Sequence, residues 1–272
     1  MKNIVFICSL FLLFSCQKEE FEIHNLNGNQ ISVIGHGGMG IGHTYPMNSL
    51  ESILNSLNLG AEGIEMDIQM TKDGVLVAYH DSTLQESTNL SGLIHHKTWE
   101  ELKNARYSYP HYANYKLVRL EDVLKSISNP SQYIYFFDIK GFYPQQDSLF
   151  RDQLIQALIE IIDKYNLVEK TFVEFKNEVL ISHLYTLRPD IKQFVYNEFD
   201  YALKLAIQYG LHGITIPVDK LTQDKVKLAH SHHVMVATFN THSSKRNIRA
   251  VKHNVDYIHT DRLKHLLKIL NK

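Results

Sequence analysis

Apolar and polar residues alternate along 64–70, with Ile64, Met66, Ile68 and Met70 interleaved by Glu65, Asp67 and Gln69. This period of two predicts a β-strand, and side chains at i and i+2 leave a strand on the same face, so Glu65 and Asp67 point the same way. Lys72-Asp73-Gly74 is a tight-turn sequence, and the apolar run 75–79 after it delivers His80 and Asp81 at its end. Upstream, 31–35 is a short β-prone run that ends in glycine and presents His36-Gly37-Gly38. Gly40 and Gly42 follow, making a loop whose backbone can approach a ligand. Pro46 starts a turn into Asn48-Ser49, a helix cap ahead of an apolar stripe at Leu50, Ile53, Leu54 and Leu57.

After His80 the residues 81–115 form a long polar excursion in which only 98–103 has a helical pattern. An amphipathic helix is predicted over 119–127, and an aromatic, β-branched strand over 133–139 leads through Asp138 to Lys140, two apart and facing alike on an extended backbone. From there, strands over 171–175, 191–196, 213–217, 234–239 and 255–259 alternate with helices over 149–165, 178–187, 200–209, 222–230, 243–252 and 263–270. Eight strand–helix units, with strands starting at Ile31, Gly63, Tyr133, Thr171, Ile191, Gly213, Val234 and Val255, predict an α/β chain folded as a (β/α)8 TIM barrel with an inserted excursion after the second barrel strand. A doubly wound open sheet is the alternative. It gives no reason for His36, Glu65, Asp67, Asp138 and Lys140 all to fall at or just after strand ends, where a barrel carries its chemistry.

At 272 residues and 44% hydrophobic content the chain can bury one large core. A formal net charge of −1 offers no pointer to a nucleic-acid partner. Both cysteines lie within the first sixteen residues, so the body cannot depend on a disulfide. The N-terminus is a short basic start followed by an apolar run over 4–14, too short to span a bilayer. Leu13-Phe14-Ser15-Cys16 resembles a bacterial lipobox. That resemblance implies a lipoprotein signal peptide over 1–15, acylation of Cys16, and residues 16–30 as the acylated cysteine and a polar, Asn-rich tether. The chain would then be lipid-anchored to a membrane of the bacterial cell envelope, expected to be the outer membrane. Gln17-Lys18-Glu19-Glu20 resembles the acidic tag that sends some Gram-negative lipoproteins to the surface, and the periplasmic and surface faces both stay open.

Two like charges as close as Glu65 and Asp67 raise each other's pKa unless a cation sits between them, so the pair points to a bound metal or to a shared proton. Hard oxygen ligands favour Mg2+ or Ca2+. Taken in order, His36-Gly37, Pro46-Met47-Asn48-Ser49, Gly60-Ala61-Glu62-Gly63-Ile64-Glu65-Met66-Asp67, Lys72-Asp73-Gly74, His80-Asp81-Ser82-Thr83-Leu84, Phe137-Asp138-Ile139-Lys140 and 255–261 resemble the glycerophosphodiester phosphodiesterases. The resemblance covers nearly everything after the tether and implies one such domain over 31–272. It would make Glu65, Asp67 and Asp138 the ligands of a divalent cation, His36 and His80 the acid and base pair, and Lys140 a phosphate neighbour. The implied reaction is metal-dependent hydrolysis of a small-molecule glycerophosphodiester to an alcohol and glycerol 3-phosphate.

Three positions depart from the family pattern: Gly37 stands where the family has arginine, Met47 where it has glutamate, and Asp138 where it has glutamate. The aspartate also resembles sphingomyelinase D-like relatives, which share the D-x-K strand but lack the KDG and HDxTL segments. The departures leave room for a second alternative, a catalytically degenerate lipoprotein that binds phospholipid head groups. Lys140 could take over the phosphate grip as a point charge, helped by His43. Glu174 is an acid without an assigned place, and Asn240 and Asp261 are read as turn and cap residues.

Overall fold

The computed structural model describes residues 21–42, 44–144 and 146–272. The leader, Cys16, the acidic tag and His43 lie outside the described residues. Among the described residues ten strands follow in chain order: β1 Ser32–Gly35, β2 Gly63–Met70, β3 Leu76–Ala78, β4 Val118–Arg119, β5 Ile134–Ile139, β6 Thr171–Phe175, β7 Lys192–Tyr196, β8 Gly213–Pro217, β9 Met235–Thr241 and β10 Tyr257–Thr260. β1, β2 and β5 to β10 are mutually parallel, and β1 pairs with both β10 and β2, so these eight close into a barrel with helices between them. The closure rules out the open sheet.

Each strand's alternation separates two cores. Outward residues such as Ile64, Met66 and Ile68 pack against the helices. Inward residues Ile34, Phe136, Phe172, Phe194, Ala237 and Tyr257 make a separate cluster inside the barrel. Phe136 lies 4.8 Å from Phe172, 5.1 Å from Phe194 and 5.2 Å from Tyr257 between ring centroids, a packed aromatic plug. Gly213 is required beside it, because a Cβ there would stand 2.3 Å from the Phe194 ring. Above the plug the inward positions turn polar: Asp67 is in register with Asp138, and Asp138 with Glu174.

The polar excursion is a folded unit. β3 runs antiparallel to β2 and to β4. Val77, Tyr79, Leu84, Ile94, Leu102, Tyr107 and Leu117 bury a small core of their own, with Trp99 packed against it. The Lys72-Asp73-Gly74 turn ties it down: Asp73 accepts from the Thr71 hydroxyl at 2.6 Å and from the Trp99 amide at 2.9 Å. Spacing gives no sign of this core because its apolar residues come from short irregular turns with no shared period.

The expected tether is likewise part of the fold from residue 21 onward. Phe21 and Ile23 pack against the main core. Asn25 donates to the Val255 carbonyl at 2.9 Å, and the amides of Leu26 and Asn27 donate to Asp256 at 2.9 and 3.0 Å. These residues lie across the N-terminal ends of the strands. Asparagine-rich composition reads as solvated chain, yet here the amide groups satisfy backbone at the barrel floor.

His212, just before β8, stacks on Phe172 at 5.1 Å and 18°. Burial, with Lys192 nearby, pushes its pKa down from 6.5 to about 4. The unfolded chain therefore takes up a proton that the folded chain refuses, so this group's stability is present above pH 6.5 and is lost as pH falls from 6.5 to 4. The limiting loss is about 3 kcal/mol. Melting curves of His212→Phe should fall less steeply over that interval than those of the parent; equal slopes would exclude His212 as a source of acid lability.

Candidate active site

The site is built on the C-terminal ends of the barrel strands, where a cavity of about 640 Å³ opens. His36, Glu65, Asp67, His80, Asp138 and Lys140 all line it, so residues spread over more than a hundred positions meet at one mouth. Glu65 and Asp67 from β2 and Asp138 from β5 are buried, and one carboxylate oxygen of each lies within 4.8 Å of the others. Lys140 places Nζ 2.7 Å from Asp67 Oδ1 and 2.5 Å from Asp138 Oδ2. Asn48, with left-handed backbone at φ 62°, turns its amide inward. It donates to Asp67 Oδ2 at 2.6 Å and accepts from the Asp67 amide at 3.1 Å, so it fixes the orientation of Asp67, while Ser49 alone caps the following helix Leu50–Asn58.

His36 leaves the end of β1 with Nδ1 2.7 Å from Asp261 Oδ1 and Nε2 4.0 Å from Glu65 Oε2. The other Asp261 oxygen contacts Nδ1 of His242. Asp261 is therefore more than a turn residue; it orients an imidazole. Its place one residue after β10, the same relation that His36 bears to β1, was the available sequence signal. His80 holds Nδ1 2.9 Å from Asp81 Oδ1, and Asp81 Oδ2 accepts from Ser87 at 2.5 Å. Glu174 takes its place beside Asp138 in the acidic layer, receiving a short hydrogen bond from Thr215.

The electrostatics follow from burial. Desolvation and the neighbouring Asp67 charge push Glu65 up to about 8, and desolvation with Asp138 does the same to Glu174, also to about 8. Burial works against ionised Asp67 too, but Lys140 and the Asn48 hydrogen bond hold it low. For His36 burial acts to lower the pKa, yet the Asp261 bond and the fields of Glu65 and Asp67 raise it to about 9. The Asp81 bond raises His80. Burial and the charge of His36 push His259, on the cavity floor, down to about 3. Glu65, Asp67, Asp138 and Glu174 thus crowd around the Lys140 ammonium inside the layer, where burial and mutual repulsion work against ionising both glutamates. This excess of hard oxygen donors fits a divalent cation among Glu65, Asp67 and Asp138.

The departures at 37 and 47 are one structural event. Gly37 has φ 52°, and a Cβ on it would meet the Met47 side chain at 2.7 to 2.9 Å. Met47 fills the space that any side chain at 37 would need. The Gly37 amide instead donates to Glu65 Oε2 at 2.9 Å.

Comparison with known proteins points one way. A model of the "Glycerophosphoryl diester phosphodiesterase family" matches residues 39–265. A glycerophosphodiester phosphodiesterase of Bacillus altitudinis is 28% identical over 226 residues, covering 80% of this chain and 89% of that protein. Among solved structures, a putative glycerophosphoryl diester phosphodiesterase from Silicibacter pomeroyi superimposes with a TM-score of 0.78 at 19% identity, over 89% of this chain and 93% of that one. An Oleispira antarctica phosphodiesterase, solved in complex with the product sn-glycerol-3-phosphate, does so at 0.77 and 18%, over 89% and 97%.

Proposed function

Because this chain belongs to the glycerophosphoryl diester phosphodiesterase family and is thereby a phosphoric diester hydrolase, we propose that it cleaves glycerophosphodiesters to an alcohol and glycerol 3-phosphate, with Mg2+ or Ca2+ held by Glu65, Asp67 and Asp138. The observation that carries the reading is the convergence of three buried carboxylates and two imidazoles on one cavity. A bound divalent ion supplies neutralisation of the phosphate oxygens and of the carboxylate excess. With that excess offset, the field holding His36 up weakens, and its Nε2 is free to accept a proton while Asp261 keeps the proton on Nδ1.

His36 then accepts the proton of the glycerol hydroxyl next to the ester as that oxygen bonds to phosphorus. The bond from phosphorus to the alcohol oxygen breaks, and His80 gives the alcohol its proton. Water opens the resulting cyclic phosphate with the proton transfers reversed, leaving glycerol 3-phosphate, the product bound in the Oleispira antarctica neighbour. Lys140 reaches the phosphate as a point charge, the role that arginine at 37 would have had. Purified protein from residue 21 onward should release an alcohol from glycerophosphocholine, glycerophosphoethanolamine or a chromogenic phosphodiester, lose that turnover in EDTA, and regain it with Mg2+ or Ca2+. Turnover unaffected by EDTA would remove the cation from the reaction; none on any diester would leave a head-group binder.

We further propose that Cys16 carries a lipid anchor in the cell envelope. Among the described residues no helix is long and apolar enough to cross a membrane. Residues 21–30 lie at the end of the barrel opposite the mouth, so an anchored barrel opens away from the bilayer, which suits a water-soluble diester. Cys16→Ala should move the protein from the membrane to the soluble fraction; unchanged partition would exclude the anchor.

A further inference from the structure

Among the described residues, three imidazoles lining the cavity hold Nδ1 against a carboxylate, and the reaction above uses two of them, His36 and His80. The third is His242, which follows β9 directly. It shares its carboxylate with His36: Asp261 Oδ1 meets His36 Nδ1 at 2.7 Å, and Oδ2 meets His242 Nδ1. Burial acts to raise the Asp261 pKa, but the hydrogen bonds and charges of the two histidines hold it below the ordinary carboxylate value. An ionised carboxylate only accepts, so each Nδ1 carries the proton it donates.

A β-bulge makes this sharing possible. β9 and β10 pair Thr238 with Ile258, yet Thr241 with Thr260, so three steps along β9 match two along β10. Asn240, with left-handed backbone at φ 62°, lies within the extra length. In unbroken register Thr241 would stand beside Asp261; the added residue brings His242 there instead, and re-aiming a side chain is what bulges beside active sites do. The position is braced on both sides, because the Thr241 hydroxyl donates to the His259 carbonyl at 2.7 Å and Arg262 Nε donates to the His242 carbonyl at 3.1 Å. Gly40, at φ 86°, approaches so closely that a Cβ on it would lie 2.7 Å from Asp261 Oδ1, and Asp261 is only 2% exposed. Two donors, one on each oxygen, fix the plane of a carboxylate. One donor fixes a point and lets the plane turn.

We propose that His242 is a positioning residue: by holding Asp261 Oδ2 it sets the direction in which Oδ1 faces His36, and so where His36 Nε2 stands when it takes the proton. The role deepens the diester hydrolysis proposed above and rests on it.

Asparagine separates this role from direct chemistry, since its Nδ2 stands where the imidazole has Nδ1 and nothing in it replaces Nε2. His242→Ala should lower kcat by about 10- to 100-fold with KM changed by about twofold at most, and His242→Asn should recover most of that loss. Undiminished kcat in His242→Ala overturns the role. So does a His242→Asn as slow as His242→Ala, which would put Nε2 on the substrate instead. Long-range 1H–15N spectra of the imidazole rings read the same contact without turnover: the His36 ring nitrogens, assigned by their loss in His36→Ala, should shift in His242→Ala and return toward the parent in His242→Asn. If no diester is cleaved yet the His36 nitrogens follow residue 242 in this way, the catalytic reading fails and the positioning stands; if they are indifferent to residue 242, the positioning fails.

Discussion

Alanine at His36 or at His80 should each lower turnover by about 10²- to 10⁴-fold, the span of a lost proton transfer. The fold should survive both. His80 is mostly exposed, and when His36 is removed Asp261 keeps its contact with His242, so the buried carboxylate is not orphaned. The two losses should separate when the leaving group changes. A nitrophenolate departs without a proton, so on a nitrophenyl diester the His80→Ala defect should shrink toward wild type, whereas the His36→Ala defect should persist. Equal defects of His80→Ala on good and poor leaving groups would rule out its role as the acid.

Glu65→Gln should have opposite effects on stability and on activity. Folding raises the Glu65 pKa from 4.5 to about 8, so the folded state keeps a proton that the unfolded chain releases. Its contribution favours folding at low pH and is lost as pH rises from 4.5 through 8. Glutamine is already neutral and can still accept from the Gly37 amide. The metal-free variant should therefore be as stable as the parent or more so, most clearly at pH 8, by up to about a few kcal/mol, read as an equal or higher melting temperature. Turnover should fall by about 10²- to 10³-fold, because several kcal/mol of charge stabilisation goes with the cation. The rise in melting temperature that Mg2+ or Ca2+ gives the parent should disappear. A variant that still responds to the cation like the parent would show that the carboxylate trio is not its binding site.

The pattern of the chain carried the scaffold a long way. The alternation over 64–70, the aromatic, β-branched run over 133–139 and the short run over 171–175 locate β2, β5 and β6 nearly to the residue, because strands flanked by helices must be apolar outward whatever their partners. His36, Glu65, Asp67, His80, Asp138 and Lys140 were legible for a related reason: in a barrel the end of a strand is a place in the site, so a chemical side chain at that position announces itself. Local spacing makes Asn48 a cap and Asp261 a turn residue, whereas in the fold Asn48 holds Asp67 and Asp261 holds His36. Glu174 and Thr215 meet across β6 and β8, two strands that are not neighbours in the sheet. Each of these roles is a contact between segments far apart in sequence, for which local spacing has no signature.

By itself the sequence determined the alternation of strand and helix, and hence the barrel and which side chains stand at its mouth, since these depend on local periodicity and on the C-terminal rule of the fold. Only the tertiary structure decided who holds whom: Asn48 on Asp67, Asp261 between two imidazoles, Met47 over Gly37, and residues 21–30 across the floor. The physical reason is that burial, hydrogen-bond partnership and the resulting pKa shifts are set by three-dimensional neighbours, and those exist only once the barrel has closed.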